Sequence, residues 1–199
     1  MAHKESCKKC KVVFLKALTK EFGEVTEQWK SGWPCRIDEI LSIPQISKAT
    51  TRSLEEIYKA LQDHRGYKAF VGRKSLPNCD YYVKSLNCLI EFDESQHFTS
   101  PRALTLSLYP KGLKLGCDRK VWLNRCQELN RHDNDPPWRD ETRAWYDTLR
   151  DILPVTFGMR PTIRVFAKEM LWCEENIGEI IKIIKWRDPM NGKQKKKIE

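Results

Sequence analysis

With 199 residues, 40% of them apolar, and seven tryptophans, the chain is long enough for one packed domain and too apolar to be disordered. Lysine and arginine outnumber aspartate and glutamate by 36 to 27, a net charge of +9 that favours an acidic partner such as nucleic acid. No apolar run reaches the roughly 18 residues of a membrane span, and MAHKESCKKCK lacks the apolar stretch of a signal peptide, so a cytoplasmic (intracellular) protein with eight reduced cysteines and no membrane partner is expected.

Residues 5–22 carry Val12, Phe14, Leu15 and Leu18 at helical spacing and predict an amphipathic helix. The stretch 29–44, broken by GWP and IPQ, reads as loop with a short helical turn. A stronger helix is expected over 51–65, capped by Thr50, Thr51 or Ser53, with Leu54, Ile57, Tyr58 and Leu61 on its buried face. YKAFVG (67–72) reads as a strand, GRKSLPN as a loop and 79–94 as a hairpin. Pro101 opens a helix that Pro110 ends, and a second helix spans 119–130. After the polar linker RHDNDPP comes a helix over 138–152, its inner face formed by Trp138, Trp145, Leu149 and Ile152. Beyond Pro154, TIRVFA is a strand and IGEIIKIIKW a short helix or strand.

This order predicts an α/β fold with a mixed β-sheet flanked by helices. Strands joined by short loops form an antiparallel unit, and the last strand, arriving after a helical crossover, pairs in parallel. Residues 1–50 are expected to be an N-terminal helical extension, 51–170 the core, and 171–199 a C-terminal helix with a basic tail.

The hairpin CDYYVKSLNCLIEFDESQHF (79–98) concentrates the chemistry. With KSLN as its turn, symmetric pairing sets Tyr82 opposite Leu89 and Asp80 opposite Glu91, and strand alternation puts Glu91 and Asp93 on one face, away from Ile90 and Phe92. Opposed residues have Cβ atoms roughly 5 Å apart, so these carboxylates repel unless a cation lies between them. Mg²⁺, for which Mn²⁺ can substitute, takes such oxygen ligands and activates water for phosphodiester cleavage. Asp80 and Glu91 are the expected metal ligands, Asp93 supports the ion or its water, Gln96 orients water or phosphate, and His97 transfers protons. The plainer reading is a set of acids that guards an edge hairpin against aggregation. The apolar bulk of Leu89, Ile90 and Phe92 argues instead for a buried strand, where acids are unusual unless paired or ligating.

The segment resembles the active-site hairpin of the PD-(D/E)XK, or restriction-endonuclease-like, nucleases, and within them it is most similar to the very-short-patch-repair-type branch. Asp80 stands at the first acid of that pattern, and Ile90, Glu91, Asp93 and His97 at the strand that follows. The resemblance covers about 51–170 and extends to RDETRAWYDTLRDILP and PTIRVFAKE, where Asp140, Arg143 and Arg164 sit at matching positions. It implies a restriction-endonuclease-like core, metal-dependent hydrolysis of DNA in restriction, defence or repair, and a further metal ligand from the preceding helix, Glu55 or rather Glu56. It departs from the family where Cys79 precedes Asp80 in place of proline, where Glu94 replaces glycine, and where Asp93 replaces the catalytic lysine. These departures leave open a catalytically inactive nucleic-acid-binding module on the same fold.

Arg73 and Lys74 before the hairpin and Arg102 after it are placed to touch DNA phosphates, as is Arg143 by the resemblance, and Lys193 and Lys195–Lys197 add non-specific attraction. Trp33, in a loop beside Arg36, is the tryptophan best placed to stack on a base. Cys7-x-x-Cys10, with Cys35 as a third sulfur, lacks the second close pair that a structural zinc requires. A homodimer would suit a double-strand cutter.

Overall fold

Four strands, β1 (Val25–Trp29), β2 (Cys79–Val83), β3 (Cys88–Asp93) and β4 (Ile163–Phe166), lie side by side in that order in the computed structural model, which describes residues 8–169, 172 and 176–190. The first three are antiparallel, and β4 runs parallel to β3. Between β3 and β4 the chain makes the expected helical crossover through α4 (Ser100–Ser107), α5 (Arg119–Leu129) and α6 (Arg139–Thr156). The hairpin turns through a 3-10 turn at Lys84–Leu86 and Asn87, whose φ of 47° returns the chain into β3 with Tyr82 opposite Leu89, the register predicted.

Alternation along the strands divides the interior in two. Tyr81, Val83, Ile90, Phe92, Ile163 and Val165 face α1 (Lys8–Phe22) and α7 (Ile177–Arg187), where Phe14, Leu18, Ile180 and Ile184 complete an apolar layer. The opposite face carries Glu91, Asp93, Arg164 and Phe166. There Phe166 joins a second core with Ile40 of α2 (Ile37–Leu41), with Leu54, Ile57 and Leu61 of α3 (Lys48–His64) and with Trp122 and Trp145. The polar residues of that face are thus buried under the crossover helices.

The first strand is Val25–Trp29, not 67–72. Segment 67–72 stays irregular because its backbone is tied to a helix: the Phe70 carbonyl accepts from Thr142 Oγ1 at 2.5 Å, and the Phe70 ring packs on Tyr58. The N-terminal segment is no appendage, since β1 is an edge of the sheet and α1 covers one face; α7 closes the same layer. The cap of α3 is Ser47, which accepts from the Thr50 N–H, so the helix starts earlier than predicted. Helix α6 runs through Pro154 to Thr156. Pro154 cannot donate to the carbonyl of Arg150, and Thr162 Oγ1 does so instead at 2.5 Å. No helix among the described residues is long and apolar enough to cross a membrane.

Candidate active site

At the open end of the β2–β3 ladder, side chains replace backbone pairing. The Asp80 N–H donates to Glu91 Oε1 (3.2 Å), and Asp80 Oδ2 accepts from the Phe92 N–H (2.9 Å). The two acids meet across the hairpin as the register requires. Glu91 pairs in parallel with Arg164 on β4, and Asp93 points to the same face one step further on.

Helix α6 supplies the opposing charges. Asp147, Arg150 and Asp151 are spaced i, i+3, i+4, which brings them to one side of the helix, over the sheet. Arg164, fully buried, binds Asp93 Oδ1 and Asp151 Oδ1 at 2.7 Å each and reaches Asp147 Oδ1 at 3.4 Å. Asp93 Oδ2 accepts from Trp122 Nε1 at 2.9 Å, so both Asp93 oxygens are engaged. Arg150 lies 3.5 Å from Glu91 and 3.4 Å from Asp147 and donates to the carbonyls of Pro77 and Asn78. Burial works against the Asp147 anion, but His97 and Arg164 hold its carboxyl well below the ordinary range. Asp151 is lowered in the same way, Arg164 and Arg102 outweighing burial. Glu91 goes the other way: burial pushes it up to about 8, against the pull of Arg150 and with the repulsion of Asp80. With Glu91 protonated, Asp93, Asp147 and Asp151 balance Arg102, Arg150 and Arg164.

His97 enters on a 3-10 turn, Ser95–His97, immediately after β3. Its Nδ1 lies 2.9 Å from Asp147 Oδ2 and 3.7 Å from Asp93 Oδ1, and its side chain is 20% exposed. Burial opposes its charged form, yet Asp147 and Asp93 together raise its pKa. With Nδ1 donating to Asp147, Nε2 is the ring nitrogen available for chemistry. Asp93, His97 and Asp147 also bring ligand atoms within 4.8 Å of one another, a spacing at which one cation would be shared. They do so with both Asp93 oxygens already hydrogen-bonded.

His97 lines a cleft of about 490 Å³. One wall is a stripe of α6, Arg139, Arg143, Tyr146 and Arg150; the other comes from the loop after α3 and carries Phe70 and Arg73. Trp138, 38% exposed, borders it. Four arginines and a histidine line the cleft and no carboxylate does, so its surface favours an anion.

The other expected residues divide. Arg73 and Arg143 line the cleft, and Lys74 is exposed beside it. Arg102 is a correction: it is 2% exposed and bound to Asp151 (2.7 Å) and Tyr109 (2.5 Å), out of reach of any phosphate. Glu56 is a second, since it is exposed on α3 while Leu54 and Ile57 form the buried face, and it forms no metal-spaced group with Asp80 and Glu91. Gln96 is exposed and is held from outside by Arg143, which donates to its carbonyl at 3.0 Å. Trp33 stacks on Phe157 rather than standing free. Cys10 and Cys35 are buried in different cores on opposite sides of the sheet, while Cys7 and the tail lysines lie outside the described residues.

Sequence reasoning missed Asp147. Asp-x-x-Arg occurs twice on α6, as Asp140/Arg143 and Asp147/Arg150, seven residues apart and therefore on nearly the same face. Both copies are charged pairs in the structure, but the second one lies over the sheet. Matching by family pattern selects the first. No family model, no curated protein and no solved structure matches the chain.

Proposed function

We propose that the protein is a divalent-metal-dependent nuclease that hydrolyses phosphodiester bonds in DNA, on a restriction-endonuclease-like form of its α/β fold. The observation that carries this reading is the His97–Asp147 pair at an arginine-lined cleft, with Asp80 and Glu91 meeting across the adjacent hairpin. Asp147 fixes the imidazole so that Nε2 takes a proton from water or gives one to the leaving oxygen. Arg73, Arg143 and Arg150 hold the phosphate and stabilise the charge that grows on it. Asp80 and Glu91 are the residues that would hold Mg²⁺ or Mn²⁺; Asp80 spends one oxygen on the Phe92 N–H and its other oxygen has no hydrogen-bond partner among the described residues. When bound, the ion would polarise the water and offset phosphate charge.

The test is nicking of supercoiled plasmid with Mg²⁺ or Mn²⁺ and with EDTA, wild type beside Asp80→Ala and Glu91→Ala. Metal-dependent nicking lost in both variants supports the reading. Nicking that survives both places the metal elsewhere, with Asp93, His97 and Asp147 the next group to test.

One observation favours a second reading, a nucleic-acid-binding module without catalysis. Both Asp93 oxygens are saturated by Arg164 and Trp122, and Glu91 with its pKa near 8 is a protonated, poor ligand at neutral pH until an ion displaces its proton. Binding that persists in EDTA and weakens steeply with salt, with no product under any metal, selects it.

A further inference from the structure

We infer that the cleft is a track for a single strand of nucleic acid, which it takes in preference to an intact duplex. This deepens the proposed action on phosphodiesters and rests on it for the identity of the ligand. Arg139, Arg143, Tyr146 and Arg150 are spaced four, three and four residues apart, one continuous stripe of α6. Eleven helical steps from Arg139 to Arg150 make that stripe about 16 Å long. It starts beside Trp138 and ends at Arg150, next to Glu91 and Asp147.

Arg73 faces the guanidiniums of Arg139 and Arg143 from the opposite loop, and the indole of Trp138, 38% exposed, stands at the edge of the cleft; Tyr146 and Phe70 line the walls but are buried. A single strand offers this arrangement a match, phosphates for the guanidiniums and an open base face for Trp138. In a duplex the base faces are stacked on one another, and Trp138 has nothing to stack on unless a nucleotide leaves the helix. Size points the same way. A volume of about 490 Å³ is that of a small-molecule site, so a phosphate reaches His97 only on a strand narrow enough to descend between the walls.

The charges on the track are not all spent internally. Arg73 is exposed and has no ion-pair partner among the described residues, whereas Arg150 is paired with Glu91 and Asp147. Arg139 and Arg143 share Asp133, at 3.2 and 3.1 Å, and Arg143 also lies 3.6 Å from Asp140.

The test is fluorescence anisotropy in EDTA, so that nothing is cut, with fluorescein-labelled oligothymidylate, oligouridylate and a DNA duplex of the same length. At least one single strand is expected to bind about tenfold or more tightly than the duplex, and the stronger of the two identifies DNA or RNA as its source. Trp138→Ala and Arg73→Ala are each expected to weaken that binding about fivefold or more at an unchanged melting temperature. Arg73, on an exposed loop, keeps the test valid should Trp138→Ala lose stability. Duplex binding equal to or tighter than both single strands, or single-strand binding indifferent to both variants, overturns the inference. Metal-dependent plasmid cleavage without single-strand preference would remove the track and keep the nuclease; preference without cleavage of any substrate would do the reverse.

Discussion

His97 Nδ1 lies 2.9 Å from Asp147 Oδ2, joining the turn after the hairpin to the middle of α6 across 50 residues of chain. The contact makes the histidine a group of defined tautomer at the cleft, and its partner is itself fixed by Arg164 and Arg150. Replacing Asp147 by Asn keeps the shape and removes the charge that orients and supports the imidazole. Asp147→Asn is expected to lower the single-turnover cleavage rate by about 100-fold while substrate affinity changes little. A rate within a few-fold of wild type would mean that His97 acts without Asp147 or not at all.

Arg164 is shared by Asp93, Asp147 and Asp151 and is fully buried. Arg164→Met leaves three buried carboxylates short of one guanidinium. The expected cost is about 3–5 kcal/mol in urea unfolding at neutral pH, since breaking a buried pair strands its partner. A loss below about 1 kcal/mol would show that the network is not a folding determinant.

Glu91 gives stability a pH dependence of definite sign. Its folded pKa, about 8, lies above the ordinary carboxylate range, so between that range and pH 8 the folded state keeps a proton that the unfolded chain has released. Stability therefore falls as pH rises through this window, by about 1.4 kcal/mol per unit. His97, raised as well, contributes with the same sign and remains in Glu91→Gln, so the difference between the two curves isolates Glu91. Chemical unfolding in EDTA from pH 5 to 9 is expected to show Glu91→Gln gaining on wild type as pH rises. Parallel curves would contradict the burial of a protonated Glu91.

Two arginines that look alike in sequence are expected to behave oppositely. Arg73→Ala, at an exposed edge of the cleft, should lower nucleic-acid affinity and reduce the salt dependence of single-strand binding by about 0.7 in log–log slope, with no change in melting temperature. Arg102→Ala, which strips Asp151 and Tyr109 of a buried partner, should destabilise the fold by a few kcal/mol. Thermal melts and a salt titration on both variants check this; the reversed pattern would contradict the structure.

The parts of the site that are legible in the sequence are those set by local geometry. A two-residue strand period and a four-residue turn are enough to oppose Tyr82 to Leu89, bring Asp80 to Glu91, and put Asp93 on Glu91's face. The parallel entry of β4 follows from the length of the crossover. What escapes is decided at long range. Strand β1 has exposed or half-buried side chains throughout and so shows no alternation, whereas YKAFVG looks like a strand because Phe70 is buried by a helix, not by a sheet. Arg102 carries no local sign that Asp151 and Tyr109 will enclose it, and nothing in α6 alone says which of its two Asp-x-x-Arg pairs faces His97.

The most direct measurement is nicking of supercoiled plasmid across a Mn²⁺ titration by wild type and His97→Ala, with melting curves on both. Metal-dependent nicking by wild type, reduced at least about 100-fold in a folded His97→Ala, is the predicted result. A wild-type protein that binds DNA and forms no product at any metal concentration, or a His97→Ala variant that cuts as fast as wild type, would contradict the central claim.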